Sequence, residues 1–317
     1  MPQKKATKRP TKKATARRST EKATNNIEES AAQSMVERIR KKLAHYSTEP
    51  PPPQFLDTGS SQLNMVVGVR DKGMPYGKLI ELHGMESHGK TALGMTLLAL
   101  AQSDGAQASY IDAESSYDPL WAERRGIDSS ALHLIQPYVG RFGKEKIERL
   151  ISAEEMCLEA EKLMEELHDA GAEKQVIMLD SITALLSDEE SRAGLTARNM
   201  RTKLSLSSFI GSLMRRWTAL CHSYNTTAIF INQLRVNPNT FFGDPSYTPG
   251  GYAPKFFCHV RVRIMSKKKI EDPNGATVGI KGKLRNVKNK VGGIEGAECL
   301  YKMQFSDDRT LFAEIKR

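Results

Sequence analysis

Residues 84–91 read GMESHGKT, and their surroundings limit the possible folds more than any other stretch of the chain. The apolar run KLIELHG (78–84) leads in, and GKTALGMTLLALAQS (89–103) leads out with apolar residues at helical spacing. A buried strand that enters a glycine turn and leaves as a helix opens a crossover unit, which needs a parallel neighbouring strand. In that setting the match to G-x-x-x-x-G-K-[ST] predicts a phosphate-cradling loop. Gly84 and Gly89 let the backbone curl, so that the amides of Met85, Glu86, Ser87, His88 and their neighbours can face phosphate oxygens. The following helix adds its positive end. Lys90 is expected to reach the β- and γ-phosphates and Thr91 to offer its hydroxyl to magnesium, which makes ATP and Mg2+ the expected cofactors.

The rest of the chain repeats the same alternation. ASYIDAE (108–114) and ALHLIQP (131–137) read as strands, the latter followed by a long helical stretch over 145–169. QVIMLDSI (175–182) precedes a helix running to about 223, and TTAIFINQL (226–234) closes the series. Short apolar runs separated by helices predict an α/β fold with a mainly parallel central sheet covered on both faces. Beyond FFCHVRVRIMSKKK come VGIKGKLRNVKNKV, ECLYKMQF and TLFAEIK with no helical pattern between them. They predict an antiparallel C-terminal extension of the same sheet. The strand VIMLD ends in Asp180, placed to hold a magnesium shell beside Thr91. Glu114 ends the strand after the phosphate-loop helix, at the same sheet edge as Lys90, where a carboxylate suits a general base.

Of the net charge of +10, +8 comes from residues 1–20, which hold eight Lys and Arg and no acid. The body is therefore near neutral, and residues 1–29 form a basic tail with almost nothing to bury, expected to be disordered. Such a tail suits an electrostatic arm for nucleic acid or an import signal. Residues 30–45 place Ala32, Met35, Val36, Ile39 and Leu43 on one helical face, and Pro50–Pro53 make the linker to the body stiff. Residues 30–54 are thus expected to dock the helix on a neighbouring subunit or on the chain's own core, with 55–317 as the ATPase core. The chain has no apolar run of about 18 residues, which argues against a membrane span. It also lacks an apolar stretch behind the N-terminal charges, and Cys157, Cys221, Cys258 and Cys299 stand apart without pairing. Together these features predict buried thiols in a cytoplasmic protein.

Several motifs occur in one order: GMESHGKT, YIDAESSYDPLWAERRG, VIMLDSITAL, IFINQLR, TPGGYAPKFF and NVKNKV. Over roughly residues 55–317 the chain closely resembles the RecA family of DNA recombinases. TPGG with KFF and KNK is more specific to that family than the phosphate loop is. The resemblance implies a RecA-like core that forms a helical filament on single-stranded DNA and pairs it with homologous double-stranded DNA. Mediator or single-strand-binding proteins are further implied partners. It also implies roles for single residues. Glu114 would activate water, Trp121 would stack on adenine, Asp118 would lie beside the base, and Gln233 would sense the γ-phosphate. Lys288 and Lys290 would reach a neighbour's γ-phosphate. The stretch 234–251 matches the second DNA loop, with Arg235, Phe241, Phe242, Gly250 and Gly251 as contacts. The first DNA loop would hold Arg192, Arg198, Arg201 and Lys203, although this segment departs from the bacterial pattern. Met85 stands where proline is common in the family, and His88 where a small residue is usual. The layout lacks the bacterial C-terminal domain and resembles virus-encoded members, which extends the expected location to the bacterial cytoplasm of an infected cell. The rival readings are a ring-forming RecA-like helicase or remodeller, and a non-catalytic assembly paralogue.

Overall fold

The computed structural model describes residues 52–305, apart from 143–146, 194–199 and 237–245, together with Gln33, Met35 and Val36. The basic tail, most of the N-terminal amphipathic stretch and TLFAEIK lie outside the described residues. The chain divides into two units, Met1–Pro52 and Pro53–Arg317. In the first, Gln33, Met35 and Val36 are helical, and both apolar side chains are exposed.

The second unit opens with β1 (Phe55–Leu56) and β2 (Met74–Pro75), an antiparallel pair bracketing helix α1 (Ser61–Val67). An eight-stranded sheet follows, built from β3 (Leu79–Gly84), β4 (Gln107–Asp112), β5 (Leu132–Ile135), β8 (Gln175–Asp180), β9 (Thr226–Gln233), β12 (Val260–Glu271), β13 (Thr277–Asn289) and β14 (Glu298–Gln304). Its order is β14-β13-β12-β3-β9-β8-β4-β5. The pairs from β12 to β5 are parallel, whereas β13 and β14 add antiparallel at the other side. The central strands are mostly apolar because both faces are covered, with Glu81, Asp112 and Asn232 among their few buried polar side chains. On β8, Val176 and Met178 face one core, where α1 and α2 (Lys90–Ser103) pack. Ile177 and Leu179 face the other core, with α4 (Ala153–Asp169) and α6 (Met200–Ser223). Trp217 on α6 is fully buried there. Its indole N–H donates to Glu161 on α4, which also accepts from Arg216, so the largest core side chain leaves no polar group unmet. Truncating such a residue costs about 3–5 kcal/mol.

One expected element is corrected. The helix predicted over 145–169 begins only at Ala153, and an antiparallel hairpin precedes it, β6 (Val139–Phe142) with β7 (Ile147–Leu150). The physical reason is a capping box. Ser152 accepts from the amide of Glu155 while the Glu155 carboxylate accepts from the amide of Ser152, which fixes the helix start. Between β8 and α6 lies a short helix, α5 (Asp188–Ala193). Arg149 from the hairpin pins it, bonding Glu155 and Ser191 and lying 3.3 Å from Asp188. The four cysteines are free, buried thiols whose ionisation burial disfavours, Cys299 being pushed up to about 11. Among the described residues no helix is long and apolar enough to cross a membrane.

Candidate nucleotide site and DNA face

The phosphate loop leaves the top of β3 and closes at Gly89, whose backbone is left-handed (φ 84°, ψ 26°). A side chain at Gly89 would also push aside the flexible end of Met303, 2.5 Å away, but the left-handed backbone is what calls for glycine here. Lys90, the first residue of α2, folds back so that its ammonium donates to the Met85 carbonyl at 2.9 Å, across the loop's mouth. Burial holds that ammonium below its ordinary value, against the pull of Asp180, Glu114 and Glu86. Thr91 donates its hydroxyl to Asp180 Oδ2 at 2.5 Å. Asp180 is nearly buried, and its carboxyl is pushed up to about 6. Burial is the main cause, with Glu114 and Asp112 adding to it and Thr91 and Lys90 opposing. A hydroxyl and a desolvated carboxylate side by side are hard oxygen donors, and they fit a magnesium ion that keeps its other positions for phosphate and water.

The catalytic candidates stand at the same edge, because β4, β8 and β9 are neighbours. Glu114, just past β4, is exposed. Its Oε1 accepts from Ser181 Oγ at 2.6 Å and from Gln233 Nε2 at 3.4 Å. Ser181 Oγ lies 2.7 Å from Thr183 Oγ1. Buried Asp112 organises the following turn by accepting from the amide of Tyr117 and the side chain of Gln136, both at 2.8 Å.

A cleft of about 450 Å3 runs from Thr91, Lys90 and Gly89 to Trp121 and Arg125 on and beside α3 (Pro119–Arg124). The Arg125 guanidinium lies 4.1 Å from the centre of the Trp121 ring, a cation–π contact. Ile280, Met303 and Phe305 from the antiparallel extension complete the lining. Tyr301 on β14 braces the loop by donating to the His88 carbonyl at 2.8 Å. Asp118 stands directly before α3. Its carboxylate caps α3, accepting from the amides of Leu120 and Trp121 at 2.9 and 3.3 Å.

Lys288 and Lys290 do not join this cluster within one chain. Lys288 pairs in register with Arg261, which pairs with Glu81 below Gly84. Its ammonium donates to the carbonyls of Lys255 and Phe256, at the end of α7 (Ala253–Phe257), at 2.5 and 2.9 Å. Burial and the neighbouring Lys290 hold it below the ordinary lysine value.

The stretch expected to form the second DNA loop has a built base. β10 (Arg235–Val236) pairs with β11 (Ser246–Tyr247), leaving Arg235 exposed. Gly250 (φ 91°) and Gly251 (φ 72°) turn the chain in left-handed conformations against Ile210 and Ser207 of α6. Asn232 holds that turn, donating to the Pro249 carbonyl at 3.0 Å and to buried Glu81 at 2.9 Å. Glu81 also carries an ion pair with Arg261. Thr183, Glu190, Arg235, Gly250, Gly251 and Lys255 line a cleft of about 670 Å3 that joins α5 to this turn. Arg192 on α5 pairs with Asp188 at 2.8 Å. Arg198, Phe241 and Phe242 lie outside the described residues, as do the side chains of Arg201 and Lys203. Sequence reasoning missed Ser181, Thr183, Arg125, Asn232 and the wall from β14. Ser181, next to Asp180, and Asn232, next to Gln233, carried a signal of position.

A model of the RecA N-terminal domain matches residues 18–299. The chain is 34% identical over 236 residues to the protein RecA of Thermus aquaticus, covering 74% of this chain and 63% of the relative. It is 36% identical over 245 residues to that of Bifidobacterium breve, covering 75% and 55%. With the protein RecA of Mycobacterium ulcerans it shares 33% over 272 residues, covering 84% and 68%. The chain thus spans well short of the full length of these relatives. With its parallel sheet, its phosphate loop and this breadth of similarity, the chain belongs to the RecA family.

Proposed function

We propose that this chain is an ATP-dependent homologous recombination protein that assembles as a filament on single-stranded DNA and pairs it with homologous duplex. The observation that carries the reading is the convergence of Thr91–Asp180, Lys90 and the Glu114–Ser181–Gln233 group on one sheet edge. Asn232, next to Gln233 on β9, ties that edge to the glycine turn of the DNA cleft. Magnesium bound by Thr91 and Asp180 would neutralise charge on phosphate oxygens. Lys90 reaches the same oxygens when it leaves the Met85 carbonyl. Ser181 and Gln233 hold one oxygen of Glu114 and leave the other to take the proton of an attacking water. Lys288 and Lys290, remote from their own loop, serve a neighbour's nucleotide, so ATP joins adjacent protomers. Arg192, Arg235 and the amides at Gly250 and Gly251 contact the DNA backbone, and affinity falls with salt.

The test is ATP hydrolysis with and without single-stranded DNA over a range of protein concentrations. Strong stimulation that rises cooperatively with concentration is expected. DNA-independent turnover at every concentration would refute the recombinase reading and favour a ring-forming ATPase.

A further inference from the structure

Glu114 and the DNA cleft are joined by two hydroxyls, and the protons on them can be counted. Ser181 has one hydroxyl proton, and it is committed to Glu114 Oε1 at 2.6 Å. The 2.7 Å contact between Ser181 Oγ and Thr183 Oγ1 therefore has Thr183 as its donor. Thr183 also has one proton, and it is half-buried with its side chain on the lining of the 670 Å3 cleft, beside Arg235 and Gly250. Chains of hydrogen bonds polarise one another, so donation by Thr183 strengthens the grip of Ser181 on Glu114 by about 10–30%. A backbone phosphate in the cleft is a stronger acceptor than a neutral serine oxygen, and threonine hydroxyls are common phosphate donors.

We infer that Thr183 is a positioning residue through which a phosphate in the DNA cleft reaches Glu114. The phosphate takes the Thr183 proton, the Ser181–Glu114 bond weakens, and more of the carboxylate's negative charge is left for the water. No bond other than hydrogen bonds is made or broken. The inference rests on the proposed DNA reading of the cleft, and it explains how DNA would stimulate hydrolysis without touching the nucleotide.

The experiment uses the full chain and poly-dT as the probe, comparing Thr183→Val and Thr183→Ser with the wild type. Thermal melts confirm that each is folded, and Thr183→Ala replaces the valine variant if that one fails to fold. Removing the donor loosens Glu114 permanently, so Thr183→Val should raise DNA-independent kcat by roughly two- to tenfold and shrink the stimulation ratio by the same factor. KM for ATP should stay within about twofold, since Thr183 does not line the nucleotide cleft. Thr183→Ser keeps the hydroxyl and should restore the wild-type ratio. In a Ser181→Ala background Thr183→Val should have no further effect. A stimulation ratio unchanged in Thr183→Val overturns the inference alone, as does a serine variant that behaves like valine. A wild type that poly-dT does not stimulate overturns the recombinase reading and the inference together.

Discussion

Asp180→Asn should make the nucleotide-free protein more stable while destroying its response to magnesium and ATP. The Asp180 carboxyl is shifted from 3.8 to about 6, chiefly by burial. A shift of about two units at roughly 1.4 kcal/mol each places the cost of the ionised side chain near 3 kcal/mol as an upper bound. Asparagine removes the charge, and its amide oxygen can still accept from the Thr91 hydroxyl. For an acid whose folded pKa is raised, the stabilising form is the protonated one. Its contribution is complete below 3.8 and is lost as pH rises through about 6. The variant's advantage should therefore be absent below about pH 4, grow between about pH 4 and 6, and level off at up to about 3 kcal/mol. That corresponds to roughly 6–12 °C in Tm for a domain of this size. Urea unfolding across this pH range, without nucleotide, measures it. Magnesium with ATP should stabilise the wild type and leave the variant almost unmoved. A variant less stable than wild type at neutral pH, or an advantage independent of pH, refutes the electrostatic account of this carboxylate.

Three further substitutions probe other parts of the site. Glu114→Gln should keep ATP binding, nearly stop turnover and prolong filament lifetime; turnover surviving within about tenfold, about 1.4 kcal/mol of barrier, excludes Glu114 as the base. Trp121→Ala should weaken ATP binding by about 1–3 kcal/mol if the ring stacks on the base, with kcat much less affected; equilibrium binding of a fluorescent ATP analogue reads it, and an unchanged Kd would leave Trp121 as core alone. Asn232→Ala removes the bonds to Glu81 and Pro249 and should destabilise by about 1–3 kcal/mol. It should lower DNA-stimulated turnover more than basal turnover, and an equal loss of both would mean that the turn does not depend on this tie.

The legible parts of this protein were those whose chemistry is local. A strand, a glycine turn and a helix start are neighbours in sequence, so Gly84–Thr91 and the alternation around VIMLD could be read directly. Pairing between distant segments was not readable. Residues 147–150 suit a helix by spacing, yet they pair with 139–142, and only the reciprocal Ser152–Glu155 cap shows where the helix starts. Asp118 carried a local signal of its own, since aspartate followed by proline marks a helix start, and its carboxylate caps α3. Arg125 and Met303 gave no signal because each joins the nucleotide cleft through packing set elsewhere. Lys288 was marked by its motif, but the bond of its ammonium to the end of α7 is likewise set by packing between separate segments.

The brace that β14 places on the phosphate loop has a consequence for how the protein is made. Tyr301 lies 213 residues after the His88 carbonyl it holds. At about 5–20 residues per second, a ribosome takes on the order of ten to forty seconds to span that interval. During that time the emerging chain has its Lys90 and Thr91 but no wall of Met303 and Phe305 beside them. The cleft beside the phosphate loop therefore gains its last wall only late in synthesis.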